Sequence, residues 1–389
     1  MRLKRVVQVF PFLILSMYIV HLFLQSRTHY LIERSKEVRR AKEKKESSKM
    51  EKNSSCLHRP VSHRLSILQR ARMEDVRNEP FPHVIIKNAL PEPIYTALER
   101  HFLSDTELVA ETTGSLAQRM RSNYRYSVKA DALLGFKKQS KIKRISPIVR
   151  EFAKYHTSTQ FVQEVLWLFQ EKLGEYRPDL LLKLQSIGKS GDPKLLASPD
   201  KSGSHLIKTE VELVINSPVF YSSSSVRGYH HDKLNEIYAG LLYMRKKGDM
   251  TPGGNFQILR CKRDCRKVPE NAELKRKLGI ATTARHEQYD PKTLELDNEV
   301  TYERNTLAMF INSPVSVHAV TARPKTKFAR RYINVNADLK LRQLEIVKEE
   351  KCFKFGMGHS CKGSWEEQYP LTSPNAENQI SSAYCEVSF

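Results

Sequence analysis

Apolar and polar positions change their period twice along the chain. Residues 6–24, VVQVFPFLILSMYIVHLFL, are 19 positions with Gln8, Pro11 and His21 as the main interruptions, close to the length a helix needs to cross a bilayer. Residues 35–53 are then almost wholly Lys, Arg, Glu and Ser, the composition of a solvated stalk. Further on, PFPHVIIKNAL predicts a short strand and PEPIYTALERHF a helix with proline in its first turn, so the folded part is expected to begin near Phe81. Apolar positions recur at helical spacing through residues 146–176, and residues 185–205, rich in Gly, Ser, Pro and Lys, predict a loop. From Lys208 the period shortens. VELVI, IYAGLLYMR, NFQIL, TLAMFI and RRYINVNADL predict short strands punctuated by Gly, Pro, Asn and Ser. Helices first and many strands later predict a mainly β fold with flanking α: a double-stranded β-helix, or jelly-roll barrel, buttressed by helices.

The apolar run predicts an N-terminal transmembrane helix that acts as a signal anchor. A cleaved signal peptide is the alternative, but the run exceeds the usual 7–15 residue apolar region and no small-x-small site follows it. Arg2, Lys4 and Arg5 precede the span while Arg27, Arg34 and Lys36 follow it, so flanking charge leaves the orientation nearly balanced. The short N-terminus, the large C-terminal part and the sequon Asn53-Ser54-Ser55 favour a type II protein of the ER or Golgi with its domain in the lumen. The expected layout is a cytoplasmic tail (1–5), the anchor (6–25), a charged stalk (26–75), one domain (76–345, barrel core about 208–340) and a Cys-containing extension (346–389).

Composition adds little and excludes one class. The 389 residues are 40% hydrophobic, enough for a substantial core. A net charge of +22 suggests nucleic acid, yet residues 1–60 alone hold 14 Lys and Arg against 5 acidic residues. The remaining excess is dispersed, and no RNA-binding aromatic motif, finger spacing or recognition helix accompanies it, so nucleic acid is not the expected partner. The six cysteines are even in number, as disulfides require; Cys261 and Cys265 suit a local pair better than half a zinc site, since no matching pair lies close by.

The chemistry centres on Gly228-Tyr229-His230-His231-Asp232. On an extended segment residues i and i+2 share a face, so His230 and Asp232 project together and His231 points away. A third ligand is expected from His318, 86 residues past Asp232 and just beyond the strand TLAMFI. Two imidazoles and a carboxylate on one face of a metal leave positions open for a co-substrate and oxygen, which suits Fe(II).

The segments GYHHD, TPGGNFQIL, NSPVSVHAV and RRYINVNA, with FPHVIIKNALPEPIYTALERHF ahead of them, resemble the 2-oxoglutarate/Fe(II) dioxygenase superfamily, in particular its prolyl-4-hydroxylase-like branch. The matching stretch runs from about residue 213 to 338. The resemblance implies that His230, Asp232 and His318 bind Fe(2+), and that a basic residue of the Arg330-Arg331 pair anchors 2-oxoglutarate. Strand alternation groups Arg331 with the apolar Ile333 and Val335, so Arg331 is the expected anchor, with Arg330 the alternative. Tyr221, nine residues before His230, could add a hydroxyl to the cosubstrate pocket or simply pack in a strand. The implied reaction uses O2, with ascorbate as accessory reductant, and couples decarboxylation of 2-oxoglutarate to succinate with hydroxylation of a protein side chain or glycan. A long basic insertion after Gly254 departs from the pattern.

Two rival classes remain. A Golgi glycosyltransferase would share the anchor and stalk, but no two aspartates are separated by one residue, as a nucleotide-sugar metal site usually requires. A non-catalytic jelly-roll binding protein would have no need to fill all four cofactor positions.

Overall fold

In the computed structural model of the chain, the described residues are 63–177 apart from 116, 118 and 143, then 197–199, 207–262 apart from 234, with 265, 267–268 and 288–340. They lie within one compact unit, Leu57–Phe389. The membrane span, the sequon, the C-terminal extension and most of the basic insertion fall outside them. Among the described residues no helix is long and apolar enough to cross a membrane.

The chain enters through β1 (His83–Lys87), then α1 (Glu92–Arg100) and α2 (Asp105–Thr113). Proline occupies the first turn of α1. Ser104 and Glu107 cap α2 reciprocally, each accepting from the other's backbone amide, and Gly114 ends it at φ +75°. Next come β2 (Arg125–Lys129), α3 (Ala130–Leu133), α4 (Pro147–His156), α5 (Thr159–Leu168) and α6 (Gln170–Tyr176). The expected helical stretch 146–176 is therefore three helices. Ser158, whose hydroxyl accepts from the Phe161 amide, restarts the helix after Thr157.

The strands follow: β3 (Ala197–Ser198), β4 (Ile207–Asn216), β5 (Glu236–Tyr243), β6 (Phe256–Cys261), β7 (Lys267–Val268), β8 (Gln288–Tyr289), β9 (Leu294–Val300), β10 (Thr306–Ile311), β11 (His318–Val320) and β12 (Arg330–Leu339). All five strands expected after Lys208 are present. The major sheet runs β1-β10-β5-β12-β4-β2, with β3 beside β4, and the minor sheet runs β11-β6-β9. Apart from the β3–β4 pair, every pairing in them is antiparallel.

Two apolar cores flank the major sheet. One face of the major sheet (Leu213, Leu242, Met309, Ile333, Val335) packs on the helices through Tyr95, Leu108, Phe152, Phe161 and Val165. Its other face (Val214, Ala239, Tyr243, Phe310, Tyr332) meets Phe256, Ile258 and Val300 of the minor sheet. Burying a phenylalanine of this kind contributes about 2–3 kcal/mol. A mainly β molecule with two stacked antiparallel sheets and helices on the outside of the larger one matches the architecture expected of a jelly roll.

The fold starts earlier than the sequence pattern suggested. Leu65, Ile67, Leu68 and Ala71, assigned above to the stalk, are buried in the helical core. Their short run between charged residues masked them. Cys261 and Cys265 are joined in a disulfide.

Candidate active site

His230 sits at the end of an irregular stretch that bridges β11 in antiparallel fashion: its N–H donates to the His318 carbonyl at 3.0 Å and accepts the reverse bond at 2.8 Å through its own carbonyl. Backbone pairing thus places the two imidazoles side by side, ring centroids 4.3 Å apart. Asp232, two residues on, turns its carboxylate between them. Its Oδ1 lies 3.7 Å from His230 Nε2 and its Oδ2 3.5 Å from His318 Nε2. One ligand atom from each of the three lies within 4.8 Å of the others, and all three residues are buried. His231 does point away, toward Tyr289.

The hydrogen bonds set the tautomers. Nδ1 of His230 donates to the Gly228 carbonyl at 2.7 Å and Nδ1 of His318 to the Ser316 carbonyl at 2.9 Å, which leaves both Nε2 lone pairs facing Asp232. Burial holds both histidines below the ordinary imidazole range, more so for His230, where Arg227 and His318 add to the effect. Burial alone would raise Asp232, but its basic neighbours, among them Arg227 by charge and by hydrogen bond, overrule it and keep the carboxylate ionised. Arg227 Nη1 donates to Oδ1 at 2.9 Å and orients it. Neutral imidazoles beside an ionised carboxylate are the protonation states that a divalent metal needs. Phe256 and Phe310 pack against the His318 ring and keep that side dry.

The two arginines divide differently from the expectation. Arg331 faces the helices, its Nη2 donating to Asp105 Oδ1 at 2.6 Å and its guanidinium lying over Phe102. Arg330 points into the space between the sheets, 2% exposed, among the rings of Tyr243, Tyr302 and Tyr332. The alternation argument assumed that the apolar set of β12 faces the barrel interior. Ile333 and Val335 face the helices instead, because the major sheet is covered on both sides and the drier side is the helical one.

Arg330 is an unusual cation. Its Nε donates to the Gly254 carbonyl at 2.7 Å and its Nη1 to Asn216 Oδ1 at 3.2 Å, while its Nη2 is buried with no hydrogen-bond partner among the described residues. No carboxylate pairs with it there. A buried charge left in this state is costly, which makes the spot receptive to an anion. Gly253 and Gly254, both at positive φ, form the turn before β6 rather than part of a strand. A Cβ on Gly254 would come within 3.0 Å of Arg330 Cδ.

Tyr221 is 78% exposed, its ring edge-on to Phe220, so it neither packs in a strand nor reaches this interior. The tyrosines that do line it, Tyr243, Tyr302 and Tyr332, escaped the sequence reading. Tyr332 shares a face with Arg330 by simple alternation, whereas Tyr302 arrives from the loop after β9 and carries no local signal.

No family model matches the chain and no curated protein matches it. The solved structures it resembles are 2-oxoglutarate/Fe(II) dioxygenases, prolyl 4-hydroxylases among them. A prolyl 4-hydroxylase from Phytophthora capsici aligns at 13% identity over 83% of this chain and 86% of its own, with a TM-score of 0.35. A dioxygenase for auxin oxidation from Arabidopsis thaliana, solved with 2-oxoglutarate, aligns at 11% identity over 66% and 82%, TM-score 0.30. HygX from Streptomyces hygroscopicus, solved with iron, aligns at 11% identity over 67% and 82%, TM-score 0.33. Likeness at such TM-scores carries no argument about function. The site has to carry it.

Proposed function

We propose that the protein is an Fe(II)- and 2-oxoglutarate-dependent dioxygenase that hydroxylates a protein side chain or glycan in the secretory pathway. One observation carries the reading: His230, Asp232 and His318 converge with both imidazole Nε2 atoms presented to a single ionised carboxylate. Two nitrogens and a carboxylate oxygen are the facial set that suits Fe(II) and leaves room for a co-substrate. The buried, unpaired Nη2 of Arg330 supports the second half, since a planar guanidinium clasps a carboxylate such as the distal one of 2-oxoglutarate. The anchor is therefore assigned to Arg330 rather than to Arg331, whose guanidinium is committed to Asp105.

In this reading Nε2 of His230, Nε2 of His318 and a carboxylate oxygen of Asp232 would hold the iron. Bound there, iron with 2-oxoglutarate and O2 would supply oxidative decarboxylation to succinate coupled to hydroxylation of a C–H bond, with ascorbate as accessory reductant. The protein's own groups perform the remaining tasks. Gly228 and Ser316 carbonyls fix the imidazole tautomers, Arg227 orients Asp232, and Phe256 and Phe310 exclude water. Tyr243, Tyr302 and Tyr332 wall the guanidinium of Arg330.

Attachment as a single-pass type II protein of the ER or Golgi, with the domain in the lumen, belongs to the same proposal. The apolar run of residues 6–24 supports it, and a Cys261–Cys265 disulfide suits an oxidising compartment. The functional test is succinate release by the full chain supplied with Fe(II), ascorbate and 2-oxoglutarate. Release that depends on all of Fe(II), O2 and 2-oxoglutarate is expected. Absence of any such release from protein shown to be folded would refute the reading.

A further inference from the structure

The inner face of the major sheet changes character along its strands. Register lines up Tyr243, Tyr332, Val214 and Ser127 in one row, then Leu241, Asn334, Glu212 and Lys129, then Ala239, Asn336 and Glu210, then Glu236, Asp338 and Lys208. Past Tyr332 the members from β12, β4 and β2 turn polar and charged. This polar half borders the triad: Phe310, which touches the His318 ring, is paired with Ala239, and Ala239 with Asn336.

Most charges here are matched. Glu212 is held by Arg125 and by Lys129 at 3.3 Å. Glu210 lies 3.8 Å from both Lys129 and Lys208 and accepts from the Ala130 amide at 3.0 Å. Asp338 reaches Lys208 only at 4.0 Å. Glu236 has no cationic partner within ion-pair distance among the described residues; its Oε1 accepts from the Asn336 amide at 3.2 Å. One acceptor beside it is also unused: Asn336 Oδ1 is buried with no partner among the described residues. Burial, then Asp232 and then Asp338, push Glu236 well above the usual carboxylate range, so its ionised form is costly until a cation accompanies it.

We propose that this wall is the substrate subsite of the oxygenase, and that it takes a protonated primary amine, held by Glu236 and Asp338 with the carboxamide of Asn336. The assignment rests on the oxygenase reading for the word substrate, but not for the chemistry of the subsite. An ammonium group supplies three donors and one positive charge. The wall offers acceptor oxygens on Glu236, Asp338 and Asn336, and Glu236 has no cationic partner among the described residues. An anionic substrate would bring neither donor nor countercharge to these carboxyl groups, and a neutral alcohol would bring no charge to accompany an ionised Glu236.

The test uses the full chain and three probes of equal length: butylammonium, butanol and butyrate. Saturation-transfer NMR on the protein without added iron reads binding; succinate release with Fe(II) and 2-oxoglutarate reads stimulation. The expected result is saturable transfer to butylammonium alone. Glu236→Gln, close to isosteric, should weaken that binding about tenfold, the order expected for losing a charged hydrogen bond. Stimulation of succinate release by butylammonium should weaken in parallel. Equal transfer to the three probes in wild-type protein would overturn the inference, as would a Gln variant that binds the amine unchanged. Selective amine binding without any 2-oxoglutarate turnover would leave the subsite standing and remove the oxygenase reading instead.

Discussion

Arg330 donates from Nε to the carbonyl of Gly254 at 2.7 Å, so backbone holds the guanidinium in place while Nη2 has no partner among the described residues. With Nη1 donating to Asn216, the direction of the group is fixed and the N–H bonds of Nη2 are left for a carboxylate. Removing the fork should remove the anchor for a carboxylate. Arg330→Ala is expected to raise the half-saturating 2-oxoglutarate concentration roughly 10–100-fold, the scale of one or two charged hydrogen bonds. Arg331→Ala should leave that concentration within about twofold while lowering the unfolding midpoint, since it breaks a partly buried pair with Asp105 that contributes about 1 kcal/mol. Steady-state titration of 2-oxoglutarate and thermal melts of both variants check the pair. A reversed pattern would return the role to Arg331.

The two glycines before β6 should separate strain from function. A Cβ at Gly253 would sit 2.0 Å from the Ala322 carbonyl oxygen at φ +79°, a backbone clash that no side chain can relieve. Gly253→Ala is therefore expected to destabilise the fold by about 2 kcal/mol or more. At Gly254 the close atoms are side-chain carbons of Arg323 and Arg330, both 3.0 Å away, at φ +76°. Gly254→Ala should melt lower, but it should also raise the 2-oxoglutarate requirement by displacing Arg330. Melts and 2-oxoglutarate titrations on the same preparations distinguish the two.

His156 gives the helical core a pH dependence of known sign. It is fully buried, with Nδ1 donating to the Phe152 carbonyl at 2.8 Å and Nε2 accepting from the Ile67 amide at 3.2 Å. Burial lowers its pKa to about 3. The unfolded chain, with histidine near pH 6.5, then binds the extra proton first, so stability is complete above about pH 6.5 and falls as pH drops toward 3. The loss from this one group is on the order of a few kcal/mol. Urea midpoints of wild type and His156→Gln at pH 7, 6 and 5 check it. The variant should start lower and slope less, whereas parallel slopes would exclude His156 as the source.

Much of the site was legible from local rules. His230 and Asp232, two apart on an extended segment, required only the period-two alternation of strands, while His318 followed from its place after a strongly apolar strand and from the family resemblance. The helix α2 and the strands β2 and β9 were not legible. Arg125–Lys129 does alternate, with Tyr126 and Val128 buried, but over only five residues, and Leu294–Val300 is buried only at its two ends, so neither shows a long apolar stripe. The face of Arg330 failed for a different reason. Alternation says which residues of β12 lie together but not which side is the reaction chamber, and here the polar set faces the chamber while the apolar set faces helices. Asn334, Asn336 and Glu236 looked like ordinary strand polarity until register placed them beside the triad.

Substitution at Asp232 should discriminate metal loss from misfolding. The carboxylate is the shared neighbour of both imidazoles, so Asp232→Ala is expected to abolish succinate release while leaving the unfolding midpoint within a few degrees. Asp232→Glu, which keeps the charge but shifts it by a methylene, should retain weaker Fe(II) binding and little turnover. Fe(II) titration and circular dichroism check both.

The most direct measurement is the visible charge-transfer band of an Fe(II)–2-oxoglutarate chelate, recorded anaerobically on the purified full chain. It appears only when the metal and the keto acid occupy one site together. The account predicts a band that saturates at one equivalent of Fe(II) in wild type, is lost in Asp232→Ala, and needs far more 2-oxoglutarate in Arg330→Ala. Folded wild-type protein that gives no band, or a band that persists undiminished in Asp232→Ala, would contradict it.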